Sequence, residues 1–251
     1  MRLSFFKKEF YEFFKTYRFY VLFGVFAFFA VFNAPIARYL PQILQAIPDM
    51  GIIIEMPEPV MADAYIQFIS NVTNAFFALI IIFMGSISTE IKKGTILLVL
   101  SKGVSRMDFF FSKYLNGLLM YTFSFVMYTL LTIVGIWILF GEWYFAGLFV
   151  SALSIYLFGL LIMTAAFSAS AVAKSAGPGA FAGFGLLVFL PLTDFFGKAA
   201  KFLPGHLMSL PVGLLDGSTT GSEIIWPAAV TIIFIGIMIS SALLRFKKRE
   251  L

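Results

Sequence analysis

His206 is the chain's only imidazole, and there is no cysteine. A multi-His or thiolate metal site, a disulfide and a Cys nucleophile are therefore excluded. No G-x-x-x-x-G-K-[ST] phosphate loop, H-E-x-x-H or G-x-S-x-G occurs, so familiar ATP-binding, zinc-protease and serine-hydrolase chemistries are absent. The apolar runs carry almost no ionisable groups, whereas a proton-driven carrier places such groups at mid-bilayer. What remains is hydrogen bonding. Gln67, Asn71 and Asn74 stand at i, i+4 and i+7, with Ser70 and Thr73 beside them; Tyr121, Tyr128 and Thr132 form a weaker stripe. An amide facing lipid is costly, so these stripes face protein or a wet cavity. They read either as a substrate path or as interhelical hydrogen bonds, each contributing about 1 kcal/mol. Asn71-Val72-Thr73 matches a glycosylation sequon but lies inside an apolar run, which makes it a chance match.

The elements that must position these groups are set by composition. The chain is 61% hydrophobic and 12% charged, with 33 Phe. A soluble domain has about a quarter charged residues, so the bilayer is the solvent this surface requires. Six apolar spans are expected at 19–37, 64–87, 114–140, 145–173, 179–196 and 224–244. Each is near the roughly 20 residues needed to cross the hydrocarbon core. The fold class is an all-α membrane protein. No internal repeat or polar linker divides 1–251, which reads as one transmembrane domain.

Charge orients it. The net charge is +5, but the basic residues flank spans, which points to membrane orientation and not to nucleic acid. Fifteen of the 18 Lys and Arg fall before span one, between spans two and three, after span four or after span six. Only Arg38, Lys198 and Lys201 fall on the opposite side. The positive-inside rule makes the rich side cytoplasmic, with both termini there.

Two segments on that side carry further information. In 3–18, Phe6, Phe10, Phe13, Phe14 and Tyr17 share one helical face while Lys8, Glu12 and Lys15 mark the other. This reads as an amphipathic helix lying in the headgroup layer or as a simple extension of the first span; the former keeps Lys7, Lys8, Glu9 and Glu12 out of hydrocarbon. The loop 88–113 is charged, yet contains the apolar run Ile96–Leu100. Such a run forms a short helix with one face covered, either by a partner or by the protein's own helices or lipid headgroups.

Elsewhere, Ala165, Ala169 and Ala173 recur every fourth residue, as do Gly179 and Gly183, a spacing that lets helices approach closely. Ser175–Pro178 marks a tight turn. The outer stretch 197–221 is too apolar for a free loop. His206 reads as an interfacial hydrogen-bonding residue, and Asp194 as facing an outer vestibule or a partner subunit.

The order Glu90, Gly94, Thr95, a leucine-rich run, Ser101, Arg106, Phe109 and Lys113 resembles the loop between helices two and three of ABC-2 type transporter permeases. The surrounding design is similar too: an N-terminal interfacial helix, six spans, both termini inside, and a proline-containing outer segment, matched here by Phe202-Leu203-Pro204 through Pro211. Gly103 departs from the proline that many members have there. The resemblance implies a type V exporter-like permease fold in which 88–113 is a coupling helix seated on a separate ATPase and 197–221 is re-entrant. By position, Glu90, Gly94, Thr95, Ile96, Leu97, Leu98, Ser101 and Arg106 would form the ATPase contact. Glu90 would cap or anchor the helix, and Arg106 would pair with acidic groups or a helix end. On the substrate-path reading of the polar stripes, Gln67, Asn71, Asn74, Tyr121 and Tyr128 would line that path.

The same resemblance implies a permease subunit without ATPase activity, located in the inner membrane of a prokaryote. It would pair with a second permease chain and two copies of an ABC ATPase. No cofactor belongs to this chain; ATP and magnesium belong to the partner. Cargo would be a hydrophobic or amphipathic peptide, lipid or drug, as in permeases for phenol-soluble modulins and antimicrobial peptides. The competing readings are a standalone channel or secondary carrier and a non-transporting regulatory or immunity partner.

Overall fold

The computed structural model describes Tyr11, Lys15, 17–45 and 58–249. The interfacial helix expected over 3–18 lies largely outside the described residues. Among those described, the chain is helical throughout, without strands. The elements are α1 (Tyr17–Gln45), α2 (Met61–Phe83), α3 (Ser88–Lys92), α4 (Thr95–Ser101), α5 (Arg106–Phe140), α6 (Leu148–Val172) and α7 (Gly177–Phe189). A 3-10 segment (Pro191–Phe202), α8 (His206–Leu215), a short 3-10 turn (Gly221–Ile224) and α9 (Ile225–Lys248) complete the chain.

Six helical segments are long and apolar enough to cross a membrane: Tyr17–Ile43, Met61–Lys92, Arg106–Phe140, Leu148–Val172, Gly177–Gly197 and Gly221–Lys248. Their ends differ from the apolar runs for local reasons. α5 starts eight residues before the expected Tyr114 because Ser105 accepts a hydrogen bond from the Asp108 amide at 3.0 Å and caps it. At 35 residues α5 is about 50 Å long, well beyond a hydrocarbon core of about 30 Å. Part of α5 therefore extends past the hydrocarbon core. α7 ends at Phe189 and passes into 3-10 geometry where Pro191 removes an amide donor.

α6 sits at the centre of the bundle, with 61% of its apolar window buried against 17% for α7 and 22% for α9. α1 packs on α2 and α5, and α6 packs on α7, α8 and α9. The expected close approach at the glycines is present. A Cβ on Gly179 would run into the backbone of Met84 and the Ala166 carbonyl. One on Gly183 would meet Ile80 at 2.8 Å. The core between α1, α2, α5 and α6 is aromatic: Phe68 stacks on Tyr128 with centroids 5.0 Å apart, and Tyr121 stacks on Tyr156 at 5.1 Å.

Candidate functional site

The loop between α2 and α5 folds as two short helices joined at Gly94. Gly94 takes φ +69°, a left-handed conformation that glycine adopts without a Cβ penalty. The Thr95 hydroxyl donates back to the Glu90 carbonyl at 3.2 Å, and that of Ser101 donates to the Leu98 carbonyl at 3.1 Å. The apolar run divides by face. Ile96 is buried in the chain's own core, and Val99 and Leu100 pack against it. Leu97 and Leu98 remain 50% and 67% exposed. Both readings of this run thus hold in part: one face is covered by the protein's own helices, and the other is uncovered in the single chain.

Charged groups fix this loop to the bundle. The Glu90 carboxylate sits 2.6 Å from the Lys113 ammonium on α5. Ser88 and Ile87 donate their amides to the Ser170 hydroxyl on α6, both at 3.1 Å. The Arg106 guanidinium, at the first position of α5, donates to the carbonyls of Lys247 at 2.8 Å and Arg249 at 2.5 Å, with Phe246 further off at 3.4 Å. Arg249 in turn donates to the carbonyls of Ala171 and Ala173 at 3.1 and 3.0 Å. Each arginine occupies the C-terminal end of another helix, where unpaired carbonyls and the helix dipole favour a cation. The arginines link α5 to α9 and α9 to α6.

The amide stripe on α2 does not stay together. Asn71 turns toward α1, where its amide meets that of Asn33 at 2.8 Å. Asn33 is fully buried and also lies 3.1 Å from the Tyr128 hydroxyl and 2.9 Å from that of Thr132. The Asn33 amide donates to both hydroxyls, and its oxygen accepts from Asn71. Tyr128 donates onward to the Phe68 carbonyl at 2.6 Å. Tyr121 is equally buried and donates to the Tyr156 carbonyl at 3.0 Å. Gln67 is half-buried, and Asn74 is exposed on the bundle surface. Asn33 was missed by pattern, although it is the only amide or charged side chain in the apolar run 19–37, the signal that marks it.

At the opposite end, His206 Nδ1 lies 3.1 Å from the Ser209 hydroxyl and 3.8 Å from the Asp194 carboxylate. Lys201 pairs with Glu223 at 2.8 Å. The Ser218 hydroxyl and amide face the Asp216 carboxylate and hold it below the usual carboxylate range. Among the described residues no group of three His, Cys, Asp or Glu side chains is placed to hold a metal.

Residues 3–199 match the ABC-2 family transporter protein family. The chain is also similar to the uncharacterized transmembrane protein YxlG of Bacillus subtilis (strain 168), 25% identical over 218 residues and covering 84% of each chain. Association with an ABC ATPase subunit is what that family implies. Six membrane-crossing helices with a short helical loop between the second and third, and a family match over most of the length, make the chain a member of the ABC-2 transporter family and a membrane transport component.

Proposed function

We propose that the chain is the transmembrane permease subunit of an ATP-binding cassette exporter. In this reading the loop of α3 and α4 is the coupling element, set on a separate ATPase that holds ATP and magnesium. Two permease chains pair, each with one ATPase, in the inner membrane of a prokaryote with both termini cytoplasmic. Closure of the ATPases shifts the loops and moves a hydrophobic or amphipathic cargo outward.

The observation that carries this reading is the pair Leu97 and Leu98, left 50% and 67% exposed on a charged loop that is otherwise tied to its own bundle. Adjacent apolar side chains held out by a fixed helix suit a protein partner. Glu90, Gly94, Thr95 and Ile96 then shape and seat the helix, Ser101 closes its last turn, and Arg106 passes its movement to α9. The substrate path is assigned to Gln67, Asn71, Asn74, Tyr121 and Tyr128. Of these, Asn74 and Gln67 are the groups a cargo reaches first.

The test is a pull-down and a transport assay on the same preparations of Leu97→Ala/Leu98→Ala with the cognate ATPase. Each buried Leu contributes about 1.5–3 kcal/mol, so the double variant is expected to lose the ATPase on purification. Full ATPase binding together with full transport would overturn the assignment of the loop.

A further inference from the structure

A cleft of about 720 Å³ lies between α6, α7 and α9 at the loop end of the bundle. Its wall is graded along the helix axes. Arg245 stands nearest the loop end; Ser241 and Ser168 lie about a turn deeper; Ala165, Gly185 and Met238 line the innermost part. Arg245 is exposed and makes no hydrogen bond or ion pair with any described residue. Ser168 is only 7% exposed, yet its hydroxyl has no hydrogen-bond partner. A helical serine ordinarily satisfies its hydroxyl on the carbonyl one turn back; this one, on a residue of the cleft wall, has a hydrogen bond still to give.

Water does not settle in an apolar cleft, and an empty one forfeits the contacts of its lining. Within a membrane the available filler is lipid. We propose that the cleft binds one anionic phospholipid of the adjoining leaflet. Its acyl chain runs along Ala165, Gly185 and Met238, its glycerol ester region reaches Ser168, and its phosphate sits on Arg245. The order of the wall, cation then an unpartnered hydroxyl then hydrocarbon, is the order of groups along a phospholipid; the Ser241 hydroxyl is spent on the Met238 carbonyl. A guanidinium unengaged by the protein is the donor that suits phosphate. This site does not depend on the exporter reading.

The experiment is native mass spectrometry of the full chain in detergent, titrated separately with phosphatidylglycerol and phosphatidylcholine. One phosphatidylglycerol per chain should be retained about tenfold more tightly than phosphatidylcholine, the factor expected of one charge-assisted hydrogen bond. Arg245→Gln should bring phosphatidylglycerol down to the phosphatidylcholine level. Gly185→Leu should weaken both lipids, because a side chain there enters open space without meeting a neighbour. Millimolar sodium phosphate should leave the lipid in place. Equal binding of the two lipids, or no effect of Arg245→Gln, overturns the proposal. So does displacement by phosphate, which would make Arg245 a bare anion site. An Ala182→Cys variant, in a chain otherwise free of cysteine, should stay monomeric under oxidant; a disulfide between two chains would mean that a second copy covers the cleft.

Discussion

The Arg106 side chain, at the start of α5, reaches the backbone oxygen of Lys247 at 2.8 Å, across 141 positions of sequence. The same guanidinium meets the Arg249 carbonyl, while the Arg249 side chain holds the end of α6. The α3–α4 loop is therefore attached at its exit to the last helix, and through it to the central one. Arg106→Gln removes a cation from the unpaired carbonyls of α9. Hydrogen bonds to charged groups contribute about 1.5–3 kcal/mol, so a fall of several degrees in the melting temperature in detergent is expected. Carboxypeptidase should trim the C-terminus faster in this variant. Arg106→Lys, which keeps the charge but loses the fork, should fall between the two. Unchanged trimming in Arg106→Gln would show that the clasp does not hold the C-terminus.

Glu90 and Lys113 pair at 2.6 Å with both side chains largely covered. Glu90→Lys sets two cations against each other and should detach the entry of the loop from α5. The ATPase contact through Leu97 and Leu98 is made by a different face. The variant is therefore expected to retain much of the assembled complex while ATP hydrolysis and transport become uncoupled. Glu90→Gln should lower stability by about 1–3 kcal/mol with a milder loss of transport. Full coupling in Glu90→Lys would remove the pair from the transmission route.

Asn71 and Asn74 share a stripe in sequence but not a role in packing. Asn71→Leu leaves the buried Asn33 without one of its partners and should lower stability by about 1 kcal/mol. Asn74→Leu changes an exposed side chain and should leave the melting temperature where it was. If Asn74 meets cargo, Asn74→Leu alters transport or cargo-stimulated hydrolysis at unchanged stability. Unchanged transport returns the exposed part of the stripe to the lipid surface.

Orientation is tested with single cysteines, since the chain has none of its own. Glu142→Cys, exposed between α5 and α6, should react with an impermeant thiol reagent added outside cells. Lys102→Cys, exposed just after α4, should react only after the membrane is opened. The reverse pattern would invert the topology drawn from the basic residues.

Much of this molecule is written in local composition. Apolar length alone sets the number of crossing helices, because hydrocarbon cannot satisfy backbone groups and each span must bond to itself. The glycines at 179 and 183 announce close packing because no other residue leaves room for a neighbouring backbone. The loop helices were legible too, since Gly94 and the run Ile96–Leu100 are short-range signals. What sequence could not decide was which side chains meet across helices. Helical spacing groups Asn71 with Asn74, but helix rotation turns one toward Asn33 and leaves the other outside. The basic cluster at the C-terminus reads as an orientation signal, and nothing local tells Arg249, bonded to α6, from Arg245, left unengaged beside a cleft. Likewise Ile96 goes inward and Leu98 outward from one uniform run. Partner choice between helices depends on rotation and crossing over tens to hundreds of residues of separation. Only the assembled bundle sets that.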